Sequence, residues 1–277
     1  MFTMQIYYKT ANFIEVDLIW QKTQYLSRIF DAMSLPIIPY QNSAASKKEQ
    51  VANMFNRIAG KYDFLNHFLS LGIDRIWRRK AVKEFIELSS NKHAKLLDLA
   101  TGTGDLALEA LSVSPFQITG IDISSNMLEL ARMKISKAGL AGSIQVQQGD
   151  SENLPFQEAD FDGVMVGFGV RNFENIEKGL QEMYRVLKPG GKAVVLEFSK
   201  PHIFPFRQIY TFYFRFILPF LGKKVSKDDE AYSYLHRSVS AFPDGDAFLI
   251  LLNHAGFIHT KQRPLSLGIC TIYTGFK

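Results

Sequence analysis

Lys95-Leu-Leu-Asp-Leu-Ala-Thr-Gly-Thr-Gly-Asp105 is the stretch that decides the fold. An apolar run, Leu96 to Ala100, breaks at Thr101-Gly102-Thr103-Gly104 and resumes as Asp105-Leu-Ala-Leu-Glu-Ala110. That order is a buried strand, a glycine turn and a helix start. The glycines let the chain turn sharply and leave room for a ligand against the main chain. In an open α/β sheet such a turn sits at the carboxyl end of a strand, where nucleotide-type ligands bind.

The same alternation continues outward. Strands are expected at 95–100, 116–122, 144–149, 161–167 and 193–197. Ser124 caps a helix that Gly139 ends, with Leu128, Ala131, Ile135 and Ala138 on one face. A helix over 174–187 stops at Lys188-Pro189-Gly190-Gly191 before the fifth strand. Asp246 to His254 reads as a helix, and 256–263 with 266–276 as a closing β-hairpin. Repeated βα units give an α/β fold with a mostly parallel, seven-stranded sheet and helices on both faces. Upstream, Ser46-Lys-Lys-Glu49 is a capping box that opens a helix. A second helix is expected from Asp74 to Leu88, so 46–90 reads as a helical cap that closes over the pocket, with plain packing on the core as the competing reading. Residues 1–45 read as an N-terminal extension with little order, of which 1–32 are dispensable. The domain proper is 46–277.

Composition narrows the class. The chain has 277 residues, 47% hydrophobic, with one cysteine, Cys270, so no internal disulfide can form and a reducing compartment is expected. The six histidines are scattered and no Cys/His cluster appears, so no metal site is indicated. A net charge of +5 without a dense basic run argues against nucleic acid but suits an anionic membrane surface. No apolar run is long enough to span a bilayer, and Lys9, Glu15, Asp17 and Lys22 interrupt any signal peptide. The region 199–243 breaks the βα rhythm. Phe204, Phe206, Tyr210, Phe212, Tyr213, Phe214, Phe216 and Phe220, interrupted by Arg207 and Arg215, make an amphipathic segment suited to a greasy cavity or a membrane-facing lid. Ordinary core packing or a protein interface is the competing reading.

The glycine motif is ambiguous by itself. Gly102-x-Gly104-x-x-Ala107 also fits the dinucleotide fingerprint, and Asp122, 20 residues beyond Gly102, can grip a ribose. A pyrophosphate wants the bare positive end of a helix. Here Asp105 sits at that end and Asp98 on the strand before it. Those acids favour S-adenosylmethionine, with its ammonium and sulfonium, over NAD. The competing reading of Asp105 is a solvated helix residue stabilised by the dipole.

Eight segments together carry a resemblance. They are F-N-R-I-A-G-K-Y-D (55–63), L-D-L-A-T-G-T-G-D-L (97–106), D-I-S-S-N-M-L (122–128), L-P-F (154–156), G-F-G-V-R-N (167–172), M-Y-R-V-L-K-P-G-G (183–191), L-E-F-S-K-P (196–201) and A-Y-S-Y-L (231–235). From about residue 48 onward the chain resembles the class I S-adenosylmethionine-dependent methyltransferases, and within them the ubiquinone/menaquinone biosynthesis C-methyltransferase family. The resemblance implies a Rossmann-like fold and places Gly102, Thr103, Gly104, Asp122, Asp150, Ser151 and Gly167 at the cofactor. Ser151 departs from the Asn-Ala pair common in the family after the third strand, and Gly167 stands where some members have serine.

The implied reaction moves a methyl group from sulfur to a ring carbon beside a phenolic hydroxyl. The substrate is a polyprenyl quinol: demethylmenaquinol, or 2-methoxy-6-polyprenyl-1,4-benzoquinol. Loss of the phenolic proton spreads charge onto the ring, so the quinol reacts and the oxidised quinone does not. Arg171 is the candidate for stabilising the phenolate and Asn172 for orienting a quinol oxygen. A salt bridge to Glu197 is the competing role for Arg171. Arginine is too basic to accept the proton, and Asp105 and Tyr232 are unassigned candidates for its relay. Tyr62-Asp63 covers the cofactor, and Tyr232 and Tyr234 line the quinol pocket. A cytoplasmic enzyme, peripheral at the inner face of the membrane, is expected, with a homodimer left open. Three other readings stand beside it: a different lipid or small-molecule methyltransferase, an NAD(P)-dependent dehydrogenase, and a non-catalytic subunit of a quinone-synthesis assembly.

Overall fold

β1, Lys95–Leu99, is buried at four of its five positions, which is why its sequence shows a run rather than an alternation. It belongs to a computed structural model that describes residues 37–277 except 71, 91–93, 202 and 213–228; ten further side chains, that of Tyr232 among them, are not described. The expectations for residues 1–32 and for Tyr213 to Phe220 fall outside these residues. The described part of the N-terminal extension is packed: Tyr40 donates its N–H to Gln50, and Arg237 donates to the Pro39 carbonyl.

The elements follow in order. Helix α1 is Lys47–Leu69, α2 is Ile73–Val82, and a 3₁₀ stretch covers Lys83–Ser90. After β1 come α3 (Asp105–Ala110), β2 (Gln117–Asp122), α4 (Ser125–Lys137), β3 (Ile144–Gln148) and β4 (Phe161–Gly167). A 3₁₀ turn, Val170–Asn172, leads to α5 (Ile176–Val186) and β5 (Leu187–Phe198). Helices α6 (Phe206–Phe212), α7 (Asp229–Ala241) and α8 (Asp246–His254) precede β6 (Ile258–Leu265) and β7 (Cys270–Phe276). The strands form one seven-stranded sheet, ordered β3-β2-β1-β4-β5-β7-β6. β1 to β5 pair in parallel, and β7 pairs antiparallel with both β5 and β6. Strand order therefore reverses between β1 and β4, and that crevice is where an open α/β sheet binds its ligand.

Two expected boundaries move. The 74–88 helix splits at Val82, because a three-residue period puts Val82, Phe85 and Leu88 on one side, against the core. β5 begins at Leu187, the last residue of the expected helix, and runs through the expected stop at 188–191. Phe161 pairs with Leu187 across a register shift, and Gly190 and Gly191 exchange backbone bonds with Lys277. The core lies between the sheet and its helices: Leu96, Met165, Val194, Leu196 and Ile272 meet Trp77, Phe85, Ala107 and Ala131.

Candidate active site

The loops after β1 and β2 are stitched together through backbone groups and the Asp122 carboxylate. Gly102 (φ 56°) and Gly104 (φ 82°) take left-handed conformations that favour glycine, and Ala100 (φ 50°) and Phe168 (φ 58°) do so without that advantage. Such backbone clusters at ligand sites, held by the surrounding structure. Thr101 donates its N–H to the Ile121 carbonyl, 2.9 Å. Asp122 accepts from the Gly102 N–H at 2.8 Å through one oxygen and from the Ser124 N–H at 2.8 Å through the other. Ser124 then caps α4, accepting from Met127, as its sequence position indicates. Burial pushes the Asp122 carboxyl up to about 6. Beneath it Asp98 is fully buried and accepts a 2.6 Å bond from Thr101. Burial, with the Asp122 and Asp105 charges nearby, raises it to about 7 against the Thr101 bond. Its second oxygen, Oδ1, has no partner.

α1 lies over the crevice as a cover. The capping box forms: Ser46 N–H donates to Glu49, and Glu49 N–H donates to the Ser46 hydroxyl. Lys48, Val51, Phe55 and Tyr62, spaced by three, four and seven, put one helix face on the cavity. Asn56 ties the helix to the start of α4 by accepting from the Ser124 hydroxyl at 2.7 Å and from the Asn126 N–H at 3.1 Å.

The cavity under α1 has a charge pattern. Among the described residues, Asp122, Asp150, Glu152 and Glu174 line it, with Lys48 as the one lining lysine or arginine. Four carboxylates against one ammonium repel a pyrophosphate and suit a cationic ligand. The expected source of this field was partly misplaced. Asp105 does not face the cavity: it pairs with Lys134 (2.6 Å) and Arg78 (3.2 Å). It stands in the first turn of α3, as the competing reading had it, with salt-bridge partners as well as solvent.

Of the expected cofactor residues, Gly102, Asp122, Asp150, Ser151 and Gly167 line this one cavity, together with Tyr62 and Asn172. Thr103 and Gly104 stand behind it. The Thr103 hydroxyl donates to Asp63 (2.6 Å) and accepts from Lys134 (2.9 Å), and a Cβ on Gly104 would lie 3.4 Å from Ala131. Thr103 therefore fastens α1, and Gly104 lets α3 approach α4. Asp150 pairs with Lys48 and also accepts from the Glu152 N–H.

The turn after β4 is gripped from two sides. Glu197, fully buried on β5, accepts from the Arg171 guanidinium at 2.8 Å and from the Arg171 N–H at 3.3 Å. The salt bridge weighed as the alternative for Arg171 thus exists. It leaves part of the guanidinium unused: Arg171 Nε is buried without a partner. The guanidinium also donates to the Phe168 carbonyl and lies 5.5 Å from the Phe198 ring centre. Asn172 points its amide nitrogen at the Phe168 carbonyl, 3.5 Å away, and its Oδ1 is buried and unpartnered. From the opposite side Lys47 donates to the carbonyls of Arg171 and Phe173. Burial lowers the Lys47 ammonium to about 8, against the nearby Glu152 and Glu174.

Lys47, Lys48, Glu152, Glu174 and Lys134 are functional neighbours that the sequence reading missed. A lysine in a capping-box turn carries no local sign of a partner more than a hundred residues away.

A sequence model described as the ubiE/COQ5 methyltransferase family matches residues 43–277. The chain is 46% identical to a demethylmenaquinone methyltransferase of Bacteroides fragilis, over 87% of this chain and 97% of that protein. It is 47% identical to a ubiquinone/menaquinone biosynthesis C-methyltransferase of Geotalea daltonii, over 83% and 97%. Among solved structures, a SAM-dependent methyltransferase of Thermotoga maritima, described as a possible histamine N-methyltransferase, matches with a TM-score of 0.58 at 21% identity, over 81% of this chain and 99% of that one. That likeness concerns the fold alone.

Proposed function

This chain belongs to the ubiE/COQ5 methyltransferase family, and on that premise we propose that it converts demethylmenaquinol to menaquinol. It is an S-adenosylmethionine-dependent C-methyltransferase of quinols. The finer choice of demethylmenaquinol follows the names of its Bacteroides and Porphyromonas relatives. The Geotalea relative's name, which covers both quinones, keeps the methoxy-benzoquinol as the second substrate to test.

One observation carries the reading: an acid-lined cavity at the strand-order reversal adjoins a turn with buried, unsatisfied hydrogen-bonding atoms. S-adenosylmethionine, when bound, supplies an electrophilic methyl group on a cationic sulfur. The residues present fit it. Asp122 is held by two backbone N–H groups so that its remaining lone pairs meet the ribose hydroxyls. Asp150 and Ser151 flank the adenine, and Gly102 and Gly167 admit close approach. Tyr62 and Phe55, edge to face at 5.7 Å, exclude water from above. Thr103 acts through Asp63, keeping α1 closed.

Arg171 faces the quinol. Its charge favours the phenolate over the phenol, and Glu197 holds the guanidinium still, so little reorganisation accompanies charge development. As the methyl group bonds to the ring carbon beside that oxygen, its bond to sulfur would break and leave S-adenosylhomocysteine; the ring hydrogen leaves as a proton, the phenolate oxygen regains one, and the second hydroxyl keeps its own. Net, one proton is released per turnover. The described part of the aromatic segment exposes Ile203, Phe204, Phe206 and Phe212. Such side chains suit the polyprenyl tail or a lipid surface, which supports a peripheral membrane location. No helix among the described residues is long and apolar enough to cross a membrane.

The test is turnover with labelled methyl donor on both reduced quinones. Menaquinol formation at a clearly higher kcat/KM than the benzoquinol product is expected. Transfer to the benzoquinol alone would overturn the substrate choice, and absence of transfer with tight NADH binding would overturn the enzyme class. Arg171→Ala should lower kcat on quinol by about a hundredfold.

A further inference from the structure

Among the described residues, three buried polar atoms around the 170–172 turn have no partner: Arg171 Nε, Asn172 Oδ1 and the hydroxyl of Tyr234. Buried polar groups in native proteins are nearly always paired, so three orphans in one neighbourhood call for a ligand. The first two lie on the turn itself. Tyr234 comes from α7, which packs against that turn. It is 2% exposed, and its ring shares a cluster with Val51 and Met54 of the covering helix. Its hydroxyl senses the Arg171 and Glu197 charges directly.

We propose that Tyr234 is a quinol-binding residue whose hydroxyl, with Arg171 Nε, donates to the oxygen that becomes the phenolate. The inference rests on the quinol reading given above. The inventory of orphans fits a 1,4-quinol: two donors suit one anionic oxygen, and one acceptor, Asn172 Oδ1, suits the hydroxyl that keeps its proton. Burial raises the Tyr234 hydroxyl well above the usual phenol value, so it stays a donor throughout the physiological range. An oxidised quinone offers two acceptors and no hydroxyl, leaving Asn172 unsatisfied. The site therefore also selects the reduced substrate.

Tyr234→Phe in the full chain tests this, because the ring stays and only the hydroxyl goes. Three readouts are taken: cofactor affinity by calorimetry, kcat/KM on reduced demethylmenaquinone, and thermal unfolding without ligand. Cofactor affinity should stay within about twofold, while kcat/KM falls at least tenfold. Thermal stability should stay level or rise, since an unpaired buried hydroxyl is removed. A merely structural tyrosine would show the opposite pattern, lower stability with kcat/KM unchanged, and that result overturns the assignment. So does unchanged kcat/KM at any stability. If the unsubstituted protein methylates neither quinol, the function reading fails, and the Tyr234 assignment falls with it. Activity in the unsubstituted protein together with an indifferent Tyr234→Phe sinks the assignment alone.

Discussion

Cofactor affinity should rise steeply with pH between about 5.5 and 7.5, because a cationic ligand needs carboxylates that burial keeps partly protonated. Asp122 lines the cavity and Asp98 lies under it; burial lifts them to about 6 and about 7. A methyl donor bearing a sulfonium and an ammonium favours the ionised form of both. Its own ammonium, with an α-amino pKa near 8, stays mostly charged over this range. With those two pKa values, the fraction ionised at pH 5.5 lowers affinity about 25-fold through Asp98 and about 4-fold through Asp122 relative to pH 7.5. Together that is about 100-fold. Calorimetry in two buffers of different ionisation heat should show protons released on cofactor binding at about pH 5.5 and fewer at about pH 7.5. Asp98→Asn should reduce the pH effect to about 4-fold. Affinity that is flat across this range, or proton uptake on binding, would refute the reasoning. The same shifts fix the sign for the ligand-free protein. Both folded pKa values lie above the carboxylate reference, so the stability they contribute is present at low pH and lost as pH rises through about 6 and 7. Ligand-free thermal stability should therefore fall over the window in which cofactor affinity climbs.

Other outcomes follow from particular contacts. Glu197→Leu leaves the buried Arg171 charge unpaired and should cost about 3–5 kcal/mol in denaturant titrations, with activity lost. In Gly169→Ala the new Cβ would lie 2.7 Å from the Ala100 Cβ, so strand ends β1 and β4, whose residues line the cofactor cavity, must part; cofactor affinity and kcat should both drop, measured by calorimetry and turnover. Ser124→Ala removes the α4 cap and its bond to Asn56, and should lower stability by about 1 kcal/mol and weaken cofactor binding, measured by melting and by calorimetry.

The chain's own pattern settled more of the fold than of the site. Runs such as Leu96 to Ala100 and the 3.6-residue spacing of Ile176, Leu180 and Met183 are local signals, and each became the element it announced. So did the Ser124 cap and the Ser46–Glu49 box, whose bonds span three residues. The positively curved loop at Gly102 and Gly104 was equally legible, since few residues other than glycine reach such φ values. Tertiary structure alone decided where the charges go. Asp105 looked like a cofactor acid and is instead claimed by Lys134 and Arg78, while Glu152 and Glu174 supply the field from loops far along the chain. Lys47 reaches the Arg171 carbonyl across 124 residues of sequence. A side chain's hydrogen-bonding capacity is written in its residue type, but which partner satisfies it, and which atom is left for the substrate, depends on strands and helices brought together from distant parts of the chain.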